Sequence, residues 1–167
     1  LTEFTSPRAW AFGLIGIHEY LRRLRGDSLV NQTRETLTSR LMELFERTAR
    51  PDWRWFEENL TYDNAKLAHA LILSGRATGQ QAMCERGLEA LRWLTELQMS
   101  EKGHFRFIGT NGFYRRGAMR ANFDQQPIEA QAMVSACLEA YRATSDVWWY
   151  EQAQRAFDWF IGSNDLG

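Results

Sequence analysis

Two aspartates in this chain, Asp63 and Asp124, stand in the same local setting: an aromatic residue before and an amide after, Tyr62-Asp63-Asn64 and Phe123-Asp124-Gln125. Each triplet runs into a strongly apolar stretch, AKLAHALIL in one case and PIEAQAMVSACLEAY in the other. Glu58 precedes the first triplet and Glu129 follows the second. Hydrolysis of a glycosidic bond needs two carboxyl groups, one as acid and one as base or nucleophile. Asp63 and Asp124 are the acid/base candidates, with Glu58 and Glu129 beside them. The neighbours suit such a ligand. Trp53, Trp55, Tyr62 and Phe123 offer flat faces to sugar C–H groups, and Asn64, Gln125, Gln126, His104 and Arg116 offer polar partners for hydroxyls.

Simpler roles compete with these. Aspartate at a helix start commonly caps backbone N–H groups. Pro127 suits a first helical position, which makes Gln126 the cap and leaves Asp124 free for other work. Trp53 and Trp55 are equally suited to plugging the floor between helices. His69 lies in an apolar run and reads as a hydrogen-bonded core residue. Arg106, Arg115, Arg116 and Arg120 cluster in one segment; they read as a solvated loop or as a receiver for a ligand carboxylate or phosphate.

The elements that position these residues are helical. Capping and periodicity predict helices over 7–25, 28–49, 64–77, 80–99, 127–143 and from a turn at Ser145-Asp146 to 161. Only HFRFIG, residues 104–109, alternates as a strand would. The first, third and fifth helices are apolar almost all round, which implies burial on most sides, and the other three are amphipathic. A buried helix paired with an amphipathic one recurs three times. ATGQQAMCERGLEALRWL (77–94) aligns without gaps on ATSDVWWYEQAQRAFDWF (143–160), with Glu85/Glu151, Ala90/Ala156 and Trp93/Trp159 coinciding. The expected fold is therefore all-α, with αα-hairpins over about 7–49, 64–99 and 127–161 in a single domain spanning 1–167. An open solenoid and a closed (α/α) toroid both fit such repeats; the near-apolar inner helices favour the toroid. Turns within hairpins are short, whereas the connections between them, 50–63 and 100–126, are long and emerge at one end.

Bulk properties narrow the function. The 167 residues suit one domain, and a formal net charge of −1 with no block of one sign gives no reason to expect a nucleic-acid partner. Two cysteines and three histidines form no metal-ligand spacing, so neither a metal nor a cofactor is expected. No apolar run approaches the ~20 residues that span a bilayer, and a reducing cytoplasmic setting is the default expectation.

LTYDNAKLAHALI, ANFDQQPIEAQAMVSACLEAYRAT and AFDWFIGSNDLG resemble a bacterial family within the six-hairpin-glycosidase-like superfamily. Its members are often described as glycosyltransferases, or as associated with them, because the domain sits beside a group 1 glycosyltransferase domain. The resemblance covers nearly the whole chain and implies an α/α toroid in a carbohydrate-active context, with a saccharide as ligand. The superfamily's hydrolases use acidic residues at inner-helix ends, which Asp63 and Asp124 match by type and location. Its epimerases use histidines, for which His69 and His104 are the candidates. A non-catalytic module that binds glycan or protein is the alternative.

A full toroid has six hairpins and this chain encodes three, half of an (α/α)6 barrel. The apolar flanks of the first and third hairpins then call for a cover, either a second copy of the chain or the missing half. LTEFTSPRAW has neither an initiating Met nor a signal-peptide pattern, and GSNDLG ends like the start of a loop, so a piece of a longer protein is expected.

Overall fold

A computed structural model describes residues 1–166. Six α-helices dominate: α1 (Pro7–Arg23), α2 (Ser28–Thr48), α3 (Ala65–Thr78), α4 (Gln81–Gln98), α5 (Pro127–Thr144) and α6 (Val147–Asp158). A 3-10 turn, Trp159–Ile161, extends α6. Consecutive helices pair as three αα-hairpins, and α1, α3 and α5 pack side by side with α3 in the middle. No helix among the described residues is long and apolar enough to cross a membrane.

Local chemistry accounts for the helix ends. Pro7 and Pro127 occupy the first turns of α1 and α5, where a missing N–H costs nothing. Asp27 and Asp146 cap α2 and α6 by accepting from Val30 N and Trp148 N, each at 3.0 Å. The two aligned segments of the sequence end their helices in the same way. Gly79 after α3 and Ser145 after α5 hold the same repeat position, and both are left-handed, with φ of 70° and 58°. The backbone repeats where the residues match only in part.

Burial departs from the alternation expected of the helices. Only α3 is enclosed on every side, with each residue from Ala65 to Gly75 buried. Helices α1 and α5 flank it and each leave one side open: Phe12 and Tyr20 on α1, Ile128 and Tyr141 on α5 are exposed. Edge position, not composition, decides this. The expected strand at 104–109 is absent as well. Phe105, Phe107 and Ile108 are all fully buried, which two-faced alternation does not allow, and only a single bridge joins Phe105 to Met99. The segment is held instead by Arg106 N donating to Gln98 O and by Arg120, whose guanidinium donates to Leu97 O at 2.6 Å and to Arg106 O.

The two long connections are tied to each other. Strands β1 (Asn59–Leu60) and β2 (Tyr114–Arg115) pair antiparallel, and Arg116 N donates to Glu58 O just beyond them. Beneath the first connection Trp53 and Trp55 pack on Trp93 of α4, with ring centroids 4.9 and 5.9 Å apart.

Within the second hairpin α3 and α4 approach so closely that Gly87 admits no side chain. A Cβ there would lie 2.7 Å from Ile72 Cγ1 and 2.9 Å from Ile72 N. Gly87→Val is expected to cost about 2 kcal/mol of stability through overpacking. Urea denaturation with an unchanged m-value would report it, and an unshifted midpoint would show that the two helices can part freely.

Candidate functional site

The two triplets enter their helices through the same backbone shape. Asp63 has φ 52° and Asp124 has φ 60°, a left-handed conformation that aspartate tolerates better than most residues. In each, the aromatic side chain is turned outward, Tyr62 at 48 % exposure and Phe123 at 78 %. The amide turns back onto its own loop: Asn64 Oδ1 accepts from Thr61 N, and Gln125 Oε1 accepts from Phe107 N. Neither aspartate caps its helix. Gln126 holds the N-cap position of α5 but makes no side-chain capping bond.

From this shared geometry the two places diverge. At the first, Asn64 is fully buried and joins three helix starts. Arg8 of α1 donates to Asn64 Oδ1 at 3.1 Å, to Glu57 Oε2 at 2.6 Å and to the Tyr62 carbonyl at 2.6 Å. Its guanidinium also lies over the Tyr62 ring, 5.1 Å from the centroid. Glu129 of α5 accepts from the Asn64 side chain at 3.1 Å, from Asn64 N at 3.3 Å and from Asp63 N. Burial pushes the Glu129 carboxyl up to about 7 despite these donors. Burial also raises the Asp63 carboxyl against the opposing charges of Lys66 and Arg8, and among the described residues Asp63 Oδ1 has no hydrogen-bond partner.

At the second place the residues open on a cleft of about 650 Å³ lined by Phe123, Asp124, Gln125, Arg106, Trp159 and Asp165. Gly109 allows its wall to close up: a Cβ there would fall 1.7 Å from the Phe123 carbonyl oxygen. Asp165 is the polar hub. Arg106 Nε and Nη2 reach it at 3.0 Å, His104 Nε2 at 3.0 Å and Gln125 Nε2 at 2.8 Å. The Arg106 hydrogen bond above all holds the Asp165 carboxyl well below the usual range. Trp159 leans edge-on against Phe107, 5.6 Å between centroids.

Several expectations are corrected here. Asp63 and Asp124 do not share a site: Asp63 is 1 % exposed among Glu129, Lys66 and Arg8, whereas Asp124 is exposed on the cleft. Trp53 and Trp55 are 3 % and 0 % exposed, so their faces serve the core rather than a ligand. Asn64 and Glu129 are likewise sealed, as structural members of the three-helix junction. Glu58 is exposed, with its carbonyl on Arg116 N, and Arg116 pairs with Asp52 at 3.1 Å. The four loop arginines form no common receiver, because Arg120 is spent on carbonyls, Arg106 on Asp165 and Arg116 on Asp52, and Arg115 lies exposed on β2. Phe123, Asp124, Gln125 and, through Asp165, His104 are what remain together.

Trp159 and Asp165 were not among the predicted site residues, and Arg106 was named only as one of the clustered loop arginines. The repeat held a signal for one of them. Trp159 aligns with Trp93, which packs under the first long connection, so the register puts an indole under the second. Asp165 carries no comparable mark, since it reaches the cleft only after the chain turns at Gly162 (φ 110°).

The raised Glu129 carboxyl has a consequence for stability. The folded state binds this proton more tightly than the unfolded one, so stability falls as pH rises from 4.5 to about 7. The loss is on the order of 3 kcal/mol. His69, held down to about 4 chiefly by burial, acts oppositely and draws stability away as pH falls from 6.5. The two effects overlap, so the difference between wild type and Glu129→Gln isolates the carboxyl. That difference in Tm should shrink by about 5–10 °C as pH rises through the Glu129 window. A difference independent of pH would show that this proton is not linked to folding.

No family model, curated protein or solved structure matches this chain.

Proposed function

We propose that this is a carbohydrate-active α/α-hairpin domain that binds a saccharide in the cleft between Phe123 and Trp159. The observation that carries the reading is the make-up of that cleft. Two aromatic side chains, one of them 78 % exposed, stand beside an amide, the Asp124 carboxylate and an arginine in about 650 Å³. A pyranose has an apolar C–H face and a rim of hydroxyls, and such a wall answers both. The volume lies within the range of small-molecule sites.

Binding fits this cleft better than hydrolysis does. A glycosidase acid must hold its proton near neutral pH, opposite a second carboxylate. Asp165 is instead kept ionised by Arg106 and His104, and the carboxyls with raised affinity for protons, Asp63 and Glu129, are buried elsewhere. The six-hairpin-glycosidase-like resemblance, to a family whose members sit beside a group 1 glycosyltransferase domain, is in keeping with a module that holds glycan for another domain. Closure of the hairpins into a toroid belongs to the same proposal. It rests on the side-by-side packing of α1, α3 and α5, and on the open edges at α1 and α5, which a second copy or further hairpins would cover.

Titration with a panel of oligosaccharides, followed by calorimetry, tests the reading. Saturable binding is expected, weakened about tenfold or more by Phe123→Ala, whose exposed ring leaves the core untouched. Equal affinity in Phe123→Ala, or no saturable binding across the panel, would remove the saccharide from this cleft. Sugar release by the wild type that disappears in Asp124→Asn would replace binding with hydrolysis as the function.

A further inference from the structure

A second cleft, sharing no lining residue with the first, lies along the helices themselves. On α3, Lys66, His69, Leu73 and Arg76 recur at helical spacing on the side turned from Gly87 of α4. The last three line a space of about 590 Å³ together with residues of α1 and α5 only. His18, Glu19 and Arg22 come from α1, and Ser135, Glu139 and Arg142 from α5.

The polar groups here are built around an imbalance. Glu139 is 2 % exposed and held by two arginines, Arg76 Nε at 2.7 Å and Arg142 Nη1 at 3.3 Å. One carboxylate satisfies one donor on each guanidinium, and a guanidinium has five. Among the described residues neither makes another hydrogen bond, and with side chains 41 % and 62 % exposed their remaining donors face water where both line the cleft. Arg22 has its own partner in Glu19 at 2.8 Å. The walls thus carry three arginines against two glutamates. His69 is buried as well, at 9 % exposure, and among the described residues its Nδ1 has no hydrogen-bond partner. Three arginines around one buried carboxylate leave guanidinium donors over for an acid group bound in this space.

We infer that this cleft binds an oxyanion, a carboxylate or phosphate borne on a small organic molecule, clamped by Arg76 and Arg142 with His69 and His18 beside it. Planar guanidinium forks suit either oxyanion, and the space exceeds what a bare ion fills. The electrostatics agree. His69 is held near 4 first by burial and then by the positive charges of Lys66, Arg142 and His18. Burial also lowers His18, against the pull of Glu19 and Glu139 and with the push of Arg76 and Arg22. An anion seated between the arginines offsets that positive field and lifts both imidazoles. The site stands whether or not saccharide binds near Phe123.

The test follows the histidine Cε1–Hε1 resonances by NMR at neutral pH and constant ionic strength. Inorganic phosphate and succinate are titrated separately. Saturable shifts of His69 and His18 with either anion are expected, and the stronger of the two identifies the ligand's acidic group. Arg142→Gln should weaken binding about tenfold, as loss of a charged hydrogen-bond donor does. Glu139→Gln removes the resident competitor, keeps the side-chain shape and should tighten binding several-fold. Because that variant does not depend on tolerance of the arginine change, it decides the matter. Unchanged or weaker affinity in Glu139→Gln, or no saturable shift with either anion, would overturn the proposal.

Discussion

One amide side chain holds the start of all three packed helices together. Asn64 is fully buried, takes a hydrogen bond from Arg8 of α1, gives one to Glu129 of α5, and sits on the N-cap of α3 between them. The junction brings a guanidinium and a carboxyl out of water together, which is tolerable only because each is hydrogen-bonded several times over. Removing any one member leaves the others buried and unmatched, a far larger loss than the net worth of the bonds themselves. The ends of α1, α3 and α5 are therefore fixed relative to one another by polar contacts, while their lengths are held by apolar ones. The cleft along His69 is lined by these helices, and the cleft near Phe123 lies on the segment that leads into α5.

The fold was largely legible from periodicity and punctuation. Pro7 and Pro127, Gly79 and Asp146 mark ends that the structure keeps, and the all-α hairpin arrangement follows from them. The residues 104–109 show where pattern misleads. Alternating Phe105 and Phe107 suggest a strand, but Ile108 between the faces is equally buried, because the segment lies under Arg120 and against helix ends rather than beside another strand. The local pattern carried no record of that three-dimensional partner.

The site was legible only in half. The aromatic-Asp-amide triplet truly recurs, down to the left-handed φ at both aspartates, yet one copy is sealed and the other open. What seals the first is distant in sequence: Arg8 and Glu129 come from the neighbouring hairpins. What opens the second is also distant, since Asp165 draws Arg106, His104 and Gln125 to one side of the space. Burial depends on such long-range partners, so no reading of the triplets alone separates a junction from a cleft wall.

The short ladder between β1 and β2 has a bearing on how such a protein changes over time. It welds two connections that the helices alone would leave separate, with Glu58 and Arg116 continuing the join. A change within residues 58–60 or 114–116 deprives the opposite connection of its hydrogen-bonded edge. Transplanted singly to another scaffold, either would arrive without half of its frame. The heritable unit at this end of the molecule is the pair of loops, and drift in one selects for compensation in the other.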